Sequence, residues 1–511
     1  MTTTLDRRPA AEAPSGPDPR RFRALFFLAL AQLMVVLDAT VVIVALPSAQ
    51  RALHISVADR QWVMTSYTLA FGSLLLLGGR IADYLGRRRM FLVGLIGFAV
   101  ASAIGGLAQN PAMLFGARTL QGAFAAVMAP AALSLVTTTF TEPKERARAF
   151  GVYGAIAGGG AAIGLILGGT LTQLASWRWT LLINIPIALF AAFGASRVVG
   201  ESRVTERGRY DIAGTVMATA GLFLLVFGFT TAGTDGWGSL NTVGLLAGAA
   251  ALLVAFVVRE LRVAHPLLPP RVVLNRNRGG AYLASLLVGG AMLGTFLFLT
   301  YYFQNTLGYS AVKTGFAFLP FSGGIIVGAS LASRILPRIG PRALMVTGLL
   351  MAAGGLVWFT QLTDASSYVG LVLGAELLAS VGMGLTFVPM SSTALIGVDP
   401  SDAGVASALV NTTQQVGSSL GTALLNTLAA TATATYLAAH AVTPAVERAA
   451  AVHGYTTGFT LSAVLLATAA VSTALLVRAS RADVAPVTEE QALAEVGPVP
   501  LDLSELEVEP V

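Results

Sequence analysis

Three charged side chains stand deep inside long apolar runs of the sequence: Asp38, Arg118 and Glu376. A charge in that setting costs about 2.5–3.5 kcal/mol on insertion scales, so each needs a partner, a wet cavity or a proton. Apolar surroundings disfavour a carboxylate, and a neighbouring guanidinium restores it. Asp38 beside Arg118 is therefore a pair able to take up and release a proton; the competing reading is a static ion pair that fixes the first and fourth runs together. Glu376 reads as a second titrating group or an anchor for cationic molecules, with a hydrogen-bonded packing acid as the plainer alternative. All three fall within roughly 8–13 Å of the outer ends of their runs at the helical rise, which lets them face one central cavity.

Other residues suggest how such a site is opened and lined. The segment Gly79-Arg80-Ile81-Ala82-Asp83-Tyr84-Leu85-Gly86-Arg87-Arg88-Arg89 reads as a gating loop. In it Asp83 either caps a helix end or pairs with an arginine across the interface of two halves. Its alternative is a topology determinant only, since four arginines hold any loop inside. A glycine-rich run, Gly154, Gly158, Gly159, Gly160, Gly164, Gly168 and Gly169, permits close backbone approach, either to seal this helix against its repeat mate or as ordinary packing. Gln32, Tyr67, Gln121, Tyr301, Gln304, Asn411, Gln414 and Gln415 are candidate lining for a substrate cavity, with interhelical hydrogen bonds as the other use for some of them.

The elements that must position these residues are membrane helices. Hydrophobic residues make up 55% of the 511 positions and charged residues 11%, far below the share of about a quarter usual in soluble chains. Mean hydropathy is +0.73. Scanning for apolar runs of about 20 residues predicts fourteen spans, in an all-α membrane protein. With the N-terminus inside, 26 of the 32 Lys and Arg fall in inside segments and five in outside loops, which predicts both termini in the cytoplasm. The longest outside loop is expected at 431–456. The halves repeat: Gly151, Gly164 and Gly168 recur as Gly404, Gly417 and Gly421, and Gly116-Ala117-Arg118 recurs as Gly374-Ala375-Glu376. The loop through Gly86 is echoed by Ser333 to Arg342, with Gly340 in its place. The expected organisation is a cytoplasmic tail over 1–22, a six-helix bundle over 23–197, two inserted helices with their loops over 198–278, a second six-helix bundle over 279–478 and a disordered acidic cytoplasmic tail over 479–511. Parallel repeats of this kind put a substrate site at their interface near the bilayer midplane.

On these residues the chain resembles the major facilitator superfamily, and within it the fourteen-span drug:proton antiporters. Leu37-Asp38-Ala39-Thr40 through Leu46-Pro47 is similar to that family's first-helix signature. Gly79 to Arg89 matches the superfamily-wide loop motif, with Tyr84 where a basic residue is usual, and Arg118-Thr119-Leu120-Gln121-Gly122 resembles the arginine motif linked to proton coupling. Gly154 to Gly169 resembles the antiporter-type glycine helix, departing at Gly164-Leu165 where Gly-Pro is usual, and is followed by Trp177-Arg178-Trp179 and Ile183-Asn184-Ile185-Pro186. The resemblance implies the major facilitator fold and proton-coupled export of small hydrophobic drugs, antibiotics or metabolites by alternating access. Cationic substrates are included, protons are the coupling ion and no cofactor is needed. A multi-pass inner-membrane protein among lipid is expected, as a monomer. The nearest rival is a same-fold importer or symporter of a nutrient; a membrane-embedded enzyme or a receptor is more remote.

Composition excludes much else. The chain has no cysteine, hence no disulfide or zinc–thiolate site. His54, His265, His440 and His453 are scattered through predicted loops without metal-binding spacing. No GxxxxGK[ST] loop is present to bind ATP. The basic balance is accounted for by membrane topology and implies no nucleic-acid partner.

Overall fold

The computed structural model describes residues 21–484, apart from 58, 141, 203–210, 264, 265, 267, 269, 399–402 and 442. The terminal tails expected over 1–22 and 479–511, and His265, therefore fall largely or wholly outside the described residues. Everything regular among the described residues is helical. The elements are α1 (Arg21–Leu53), α2 (Trp62–Leu85), α3 (Arg87–Gly106), α4 (Pro111–Thr139), α5 (Pro143–Leu174), α6 (Trp179–Leu182), α7 (Asn184–Val198), α8 (Ile212–Asp235) and α9 (Leu240–Glu260). They continue as α10 (Pro270–Val273), α11 (Arg276–Tyr301), α12 (Ala311–Ala317), α13 (Leu319–Ile339), α14 (Pro341–Phe359), α15 (Leu373–Thr393), α16 (Ala403–Ala439) and α17 (Pro444–Leu476). Two π-helical turns, Tyr302–Thr306 and Tyr368–Val372, extend α11 and precede α15.

Helix is the form these runs must take, since in a bilayer only internal hydrogen bonds satisfy the backbone. Their ends follow side-chain chemistry. Asn110 accepts the Met113 N–H at 2.9 Å just before Pro111 opens α4, and Thr443 accepts the Val446 N–H at 3.3 Å just before Pro444 opens α17. Among the described residues, eleven helices are long and apolar enough to cross a membrane, or twelve when the two parts of a bent α2 count as one.

Two expectations are corrected. The outside loop placed at 431–456 is mostly helix: α16 runs to Ala439 and α17 starts at Pro444, putting His453 inside α17. Its threonines, histidines and charged residues lower hydropathy while its alanines are the best helix formers, which is why an apolar scan passes over a helix here. The Gly79–Arg89 segment is not an open loop either, because α2 continues to Leu85 and α3 begins at Arg87. Gly86 alone breaks the chain, at φ 108°, and Gly340 does the same between α13 and α14 at φ 87°. Only glycine takes such a φ without strain, so this turn is a repeated device.

Packing repeats as well. The pairings of α2 with α4, α3 with α4, α1 with α5 and α3 with α7 recur as α13 with α15, α14 with α15, α11 with α16 and α14 with α17. The glycine helix α5 lies on α1, where a Cβ on Gly168 would stand 2.7 Å from the Val41 carbonyl oxygen, and its C-terminal part meets α12 and α13 of the other half. The expected seal against its repeat mate α16 is thus replaced by these partners; α16 instead packs on α11 and α2.

Apolar cores show how the halves meet. One cluster joins Val42 to Leu53 of α1 and Leu181 of α6 with Phe298, Tyr302, Phe359 and Phe459 of the second half, at the predicted outer end. Toward the other end the clusters separate: Leu28, Phe91 and Phe140 belong to the first half, Tyr282 and Met345 or Leu336 and Leu344 to the second. The inserted α8 pairs with α9 and lies against both α2 and α16, with Val226 packed on Leu69 and Ala423.

Asp211 anchors the α8–α9 pair. Its carboxylate accepts the Gly214 N–H at 2.9 Å as the α8 cap and the Arg259 Nε–H at 2.6 Å from the end of α9. Burial pushes this carboxyl up, but the Gly214 N–H and the Arg259 guanidinium outweigh it and hold the group below the ordinary carboxylate range. A depressed value means that the stabilisation is present above the unfolded value near ~3.9 and is lost as pH falls through the folded one. Replacing Asp211 by Ala is expected to destabilise the start of α8 by about 1 kcal/mol, read as faster amide exchange in its first turn with α1–α7 unchanged. Equal exchange in variant and wild type would remove the anchor.

Candidate functional site

Asp38 and Arg118 meet. The Arg118 Nη1 donates to Asp38 Oδ2 at 2.6 Å, and both side chains have 0% exposure. The second carboxylate oxygen, Oδ1, accepts from Gln121 Nε2 at 3.0 Å and from Asn184 Nδ2 at 2.8 Å. Every bond given to this carboxyl comes from a donor, the arrangement of an ionised carboxylate. Arg118 also donates from Nε to the Val63 carbonyl at 3.0 Å and from Nη1 to Gln121 Oε1 at 2.9 Å. Its guanidinium carbon stands 4.4 Å from the centre of the Tyr67 ring, a cation–π contact.

Each donor is placed by its helix. Arg118 and Gln121 are three residues apart on α4 and so share one face. Gln121 Nε2 also donates to Ser102 of α3 at 2.7 Å, which fixes its orientation. Asn184 is the first residue of α7, and Tyr67 and Val63 come from α2. Five helices of the first half thus converge on one carboxyl. Arg118 Nη2 and the Tyr67 hydroxyl are buried without a partner, so the network keeps unused polar capacity. Removing one member of a buried pair costs about 3–5 kcal/mol, because the other charge is left uncompensated.

Glu376 does not join this network, which corrects the expectation that all three charges face one cavity. It has 0% exposure on α15, where its Oε2 lies 3.2 Å from the Tyr368 hydroxyl and its Oε1 has no partner. Depth along the helix axis placed it level with Asp38; the half of the molecule to which α15 belongs, and the face it turns, keep the two apart.

The remaining candidates divide by location. Tyr67 and Gln121 belong to the Asp38 network. Tyr301 donates to Gln50 and Gln304 donates to the Val44 carbonyl at 2.9 Å, both bonds from the second half to the first near the C-terminal end of α1. They are interhelical ties in this conformation. Gln32, Gln414 and Gln415 are half-buried and Asn411 is exposed. Gly160, Gly164, Gly168 and Gly169 line the α5 contacts already described, and Gly154 lies on the same helix.

Asp83 pairs with Arg87 Nε at 2.7 Å across the Gly86 turn, within the first half. The expected bond across the interface of the halves is not the one made here. Arg87 N–H donates to the Ser202 carbonyl at 3.0 Å, and the Arg88 and Arg89 N–H groups donate to the Glu201 carboxylate at 3.1 and 3.2 Å. Arg88 also reaches the Ser196 carbonyl from its side chain. A carboxylate at a helix N-terminus is favoured by the exposed N–H groups there, so Glu201 ties the start of α3 to the segment after α7.

Sequence reasoning missed Asn184, Ser102 and Glu201 as site residues, and a fourth feature at the seam of the halves near the C-terminal end of α1. Arg60, 7% exposed, donates to Asn426 Oδ1 at 3.2 Å and lies 4.1 Å from the centre of the Tyr301 ring. Beside it Pro47, Gln50, Arg51, His54, Ile55, Tyr301 and Asn305 line a cavity of about 360 Å³. That cavity is about 18 Å along α1 from Asp38 at the helical rise, and is distinct from the buried pair. One signal for Asn184 was available: a lone amide in the apolar run Ile183-Asn184-Ile185. Among the described residues, no group of three or more His, Cys, Asp or Glu is placed to hold a metal.

Comparison with known proteins agrees with this architecture. Residues 28–422 match the model of the Major Facilitator Superfamily. The puromycin resistance protein pur8 of Streptomyces alboniger is 50% identical over 465 residues, covering 90% of this chain and 92% of the relative. The cephamycin export protein CmcT of Amycolatopsis lactamdurans is 44% identical over 402 residues, covering 78% and 83%. The tetracenomycin C resistance and export protein of Streptomyces glaucescens is 34% identical over 426 residues, covering 83% and 79%. In fold the chain is similar to a bacterial homolog of the human lysosomal transporter Spinster, solved inward-facing and unoccupied, with TM-score 0.63, 18% identity and coverage of 91% of this chain and 98% of that one. The chain is thus a membrane transporter of this family and not an enzyme. On its matching family model, its relatives and its helical architecture, this multi-pass chain belongs to the Major Facilitator Superfamily.

Proposed function

We propose that this protein exports hydrophobic antibiotics or related metabolites in exchange for protons, with Asp38 as the carboxyl that carries the proton. The observation that carries this reading is the buried Asp38–Arg118 pair, ringed by donors from Gln121 and Asn184. Its relatives supply the cargo class: puromycin, cephamycin and tetracenomycin are the compounds that their names give.

The chain spans the membrane fourteen times with both ends in the cytoplasm. Eleven or twelve helices meet the length and composition of a span, and α5 and α16, at 32 and 37 residues, exceed the ~30 Å core at 1.5 Å per residue. In that orientation the halves are fused at the outer end and parted at the inner one, an inward-facing state. A donor-ringed Asp38 then corresponds to the ionised carboxyl after its proton has left for the cytoplasm. Rocking of the halves opens the outer end, where a proton arriving at Asp38 neutralises it and weakens its hold on Arg118. The cargo leaves on that stroke and the proton pays for it.

One charge moved through 100 mV supplies ~2.3 kcal/mol, or about a 50-fold cargo gradient. In a pump-deficient host, the wild-type chain is expected to raise puromycin tolerance in a manner abolished by a protonophore, while Asp38→Asn leaves the host as sensitive as empty vector. Wild-type proton coupling in Asp38→Asn ends this reading, and substrate loss from inside-out vesicles on an inward-acid gradient would indicate import instead.

The outer seam gives a second measurement. Hydrogen bonds to charged groups contribute about 1.5–3 kcal/mol, so Asn426→Ala, which deprives Arg60 of its acceptor, is expected to raise the outward-open fraction about tenfold or more. The chain lacks cysteine, so spin labels at Leu174→Cys and Val369→Cys report only those sites. A longer-distance population in the variant is the expected result; an unchanged distance distribution would deny the seam a gating role.

A further inference from the structure

Among its described residues, the second half of the molecule holds one deeply buried carboxyl that the mechanism above does not use. Glu376 occupies the repeat position of Arg118, so the pseudo-symmetry of the bundles exchanges a cation for an acid. Its surroundings differ from those of Asp38 in what they offer. Asp38 is met by donors only. Glu376 is met by a single hydroxyl, that of Tyr368, which carries one hydrogen.

That hydrogen has a competing claimant. Tyr368 Oη lies 2.7 Å from the Ala317 carbonyl oxygen, which can only accept, and 3.2 Å from Glu376 Oε2. The shorter contact takes the tyrosine hydrogen, and a carboxylate would then face the lone pairs of Tyr368 Oη. The contact becomes favourable when Glu376 itself carries a hydrogen and donates it to Tyr368 Oη. The other oxygen, Oε1, is buried with no partner, tolerable for the carbonyl of a neutral acid and costly for an anion.

No neighbouring charge offsets this. The charged side chains of the helices packed on α15 are Arg276 and Arg278 of α11, Arg334 and Arg338 of α13 and Arg342 of α14, all toward the end that bears Gly340. Lys313 of α12 rests its ammonium 3.7 Å from the centre of the Tyr309 ring and makes no ion pair with Glu376. Asp364 is exposed in the turn before the π-helical segment, and Tyr368, Tyr309 and Tyr302, whose hydroxyl bonds the Thr363 carbonyl at 2.8 Å, are the other titratable groups on this side.

We propose that Glu376 is a second proton site, occupied in the same conformation in which Asp38 is ionised and held there by Tyr368. The chain Glu376 O–H to Tyr368 Oη to the Ala317 carbonyl ties α15 to the end of α12, with its middle member in the π-helical turn Tyr368–Val372, a form often found at functional sites. Release of this proton requires Tyr368 to withdraw and donors or a cation to replace it. The two acids therefore load and unload at different points of the cycle. This deepens the proton-driven reading and rests on it only for the role of the second proton in transport.

Infrared spectroscopy of the full-length protein in lipid at neutral pH tests the site directly, because only a protonated carboxyl shows the carbonyl stretch of the free acid, shifted on exchange into deuterated water. The band is expected in wild type and in Asp38→Asn, absent in Glu376→Gln and displaced in Tyr368→Phe, which removes the acceptor. Glutamine keeps a donor for Tyr368 Oη, so the contact survives in that variant. A wild-type spectrum in Glu376→Gln, or loss of the band in Asp38→Asn, overturns the proposal. Disappearance of the band in Glu376→Gln, in a protein whose export ignores a protonophore, supports the proton site and removes only the antiport reading.

Discussion

A carboxylate buried among helices in a membrane protein is the constraint around which the first half is built. Asp38 cannot remain ionised there unless donors surround it, and the fold answers with Arg118, Gln121 and Asn184 from two further helices. Each of those donors then needs its own support. Ser102 of a fourth helix orients Gln121, and Val63 and Tyr67 hold the guanidinium from a fifth. The polar cluster is thus a specification of how α1, α2, α3, α4 and α7 must sit. A displaced helix strands a charge or an amide in surroundings that offer it nothing else.

Around that centre the molecule separates rigidity from motion. Within each half, helices approach through glycine contacts and apolar cores, and the same pairings appear in both halves. Between the halves, the described contacts are fewer and concentrate at one end, where Arg60 with Asn426, Tyr301 with Gln50 and Gln304 with Val44 combine with a shared aromatic core. Neutral amides and hydroxyls dominate those ties, and such bonds exchange readily with water when a seam opens. The Gly86 turn with Asp83, Arg87 and Glu201 is, by contrast, internal to the first half in this conformation, and stiffens the junction of α2 and α3.

Much of this was legible in the residue order, for physical reasons. Charges in lipid are anomalous enough to announce themselves, so Asp38, Arg118 and Glu376 were visible. The Gly86 turn and its partner Gly340 were visible because a duplicated backbone requirement leaves duplicated glycines. Asn184 stood out only as a lone amide in an apolar run and Ser102 not at all, since a lone amide or hydroxyl on a membrane helix is common and satisfies itself in many ways. Glu201 follows a stretch of apparent loop, and only the folded chain brings it under the α3 amides. The separation of Glu376 from Asp38 was illegible because depth along an axis carries no information about azimuth or about which bundle a helix joins. The alanine-rich end of α16 misled a hydropathy scan that weighs burial and ignores helix propensity.

The inserted α8 has a mechanical consequence. Thr219 of α8 bonds to the Ser73 carbonyl in the first half at 3.3 Å, while Thr427 of the second half bonds to the α8 carbonyl of Phe229 at 3.2 Å. The helix is therefore a strap fastened to both moving bodies on a single flank. A hinge cannot turn beneath such a strap without slipping one fastening, so that flank resists; on the α5 flank the halves touch directly, α5 against α12 and α13, with no third helix bridging them among the described residues.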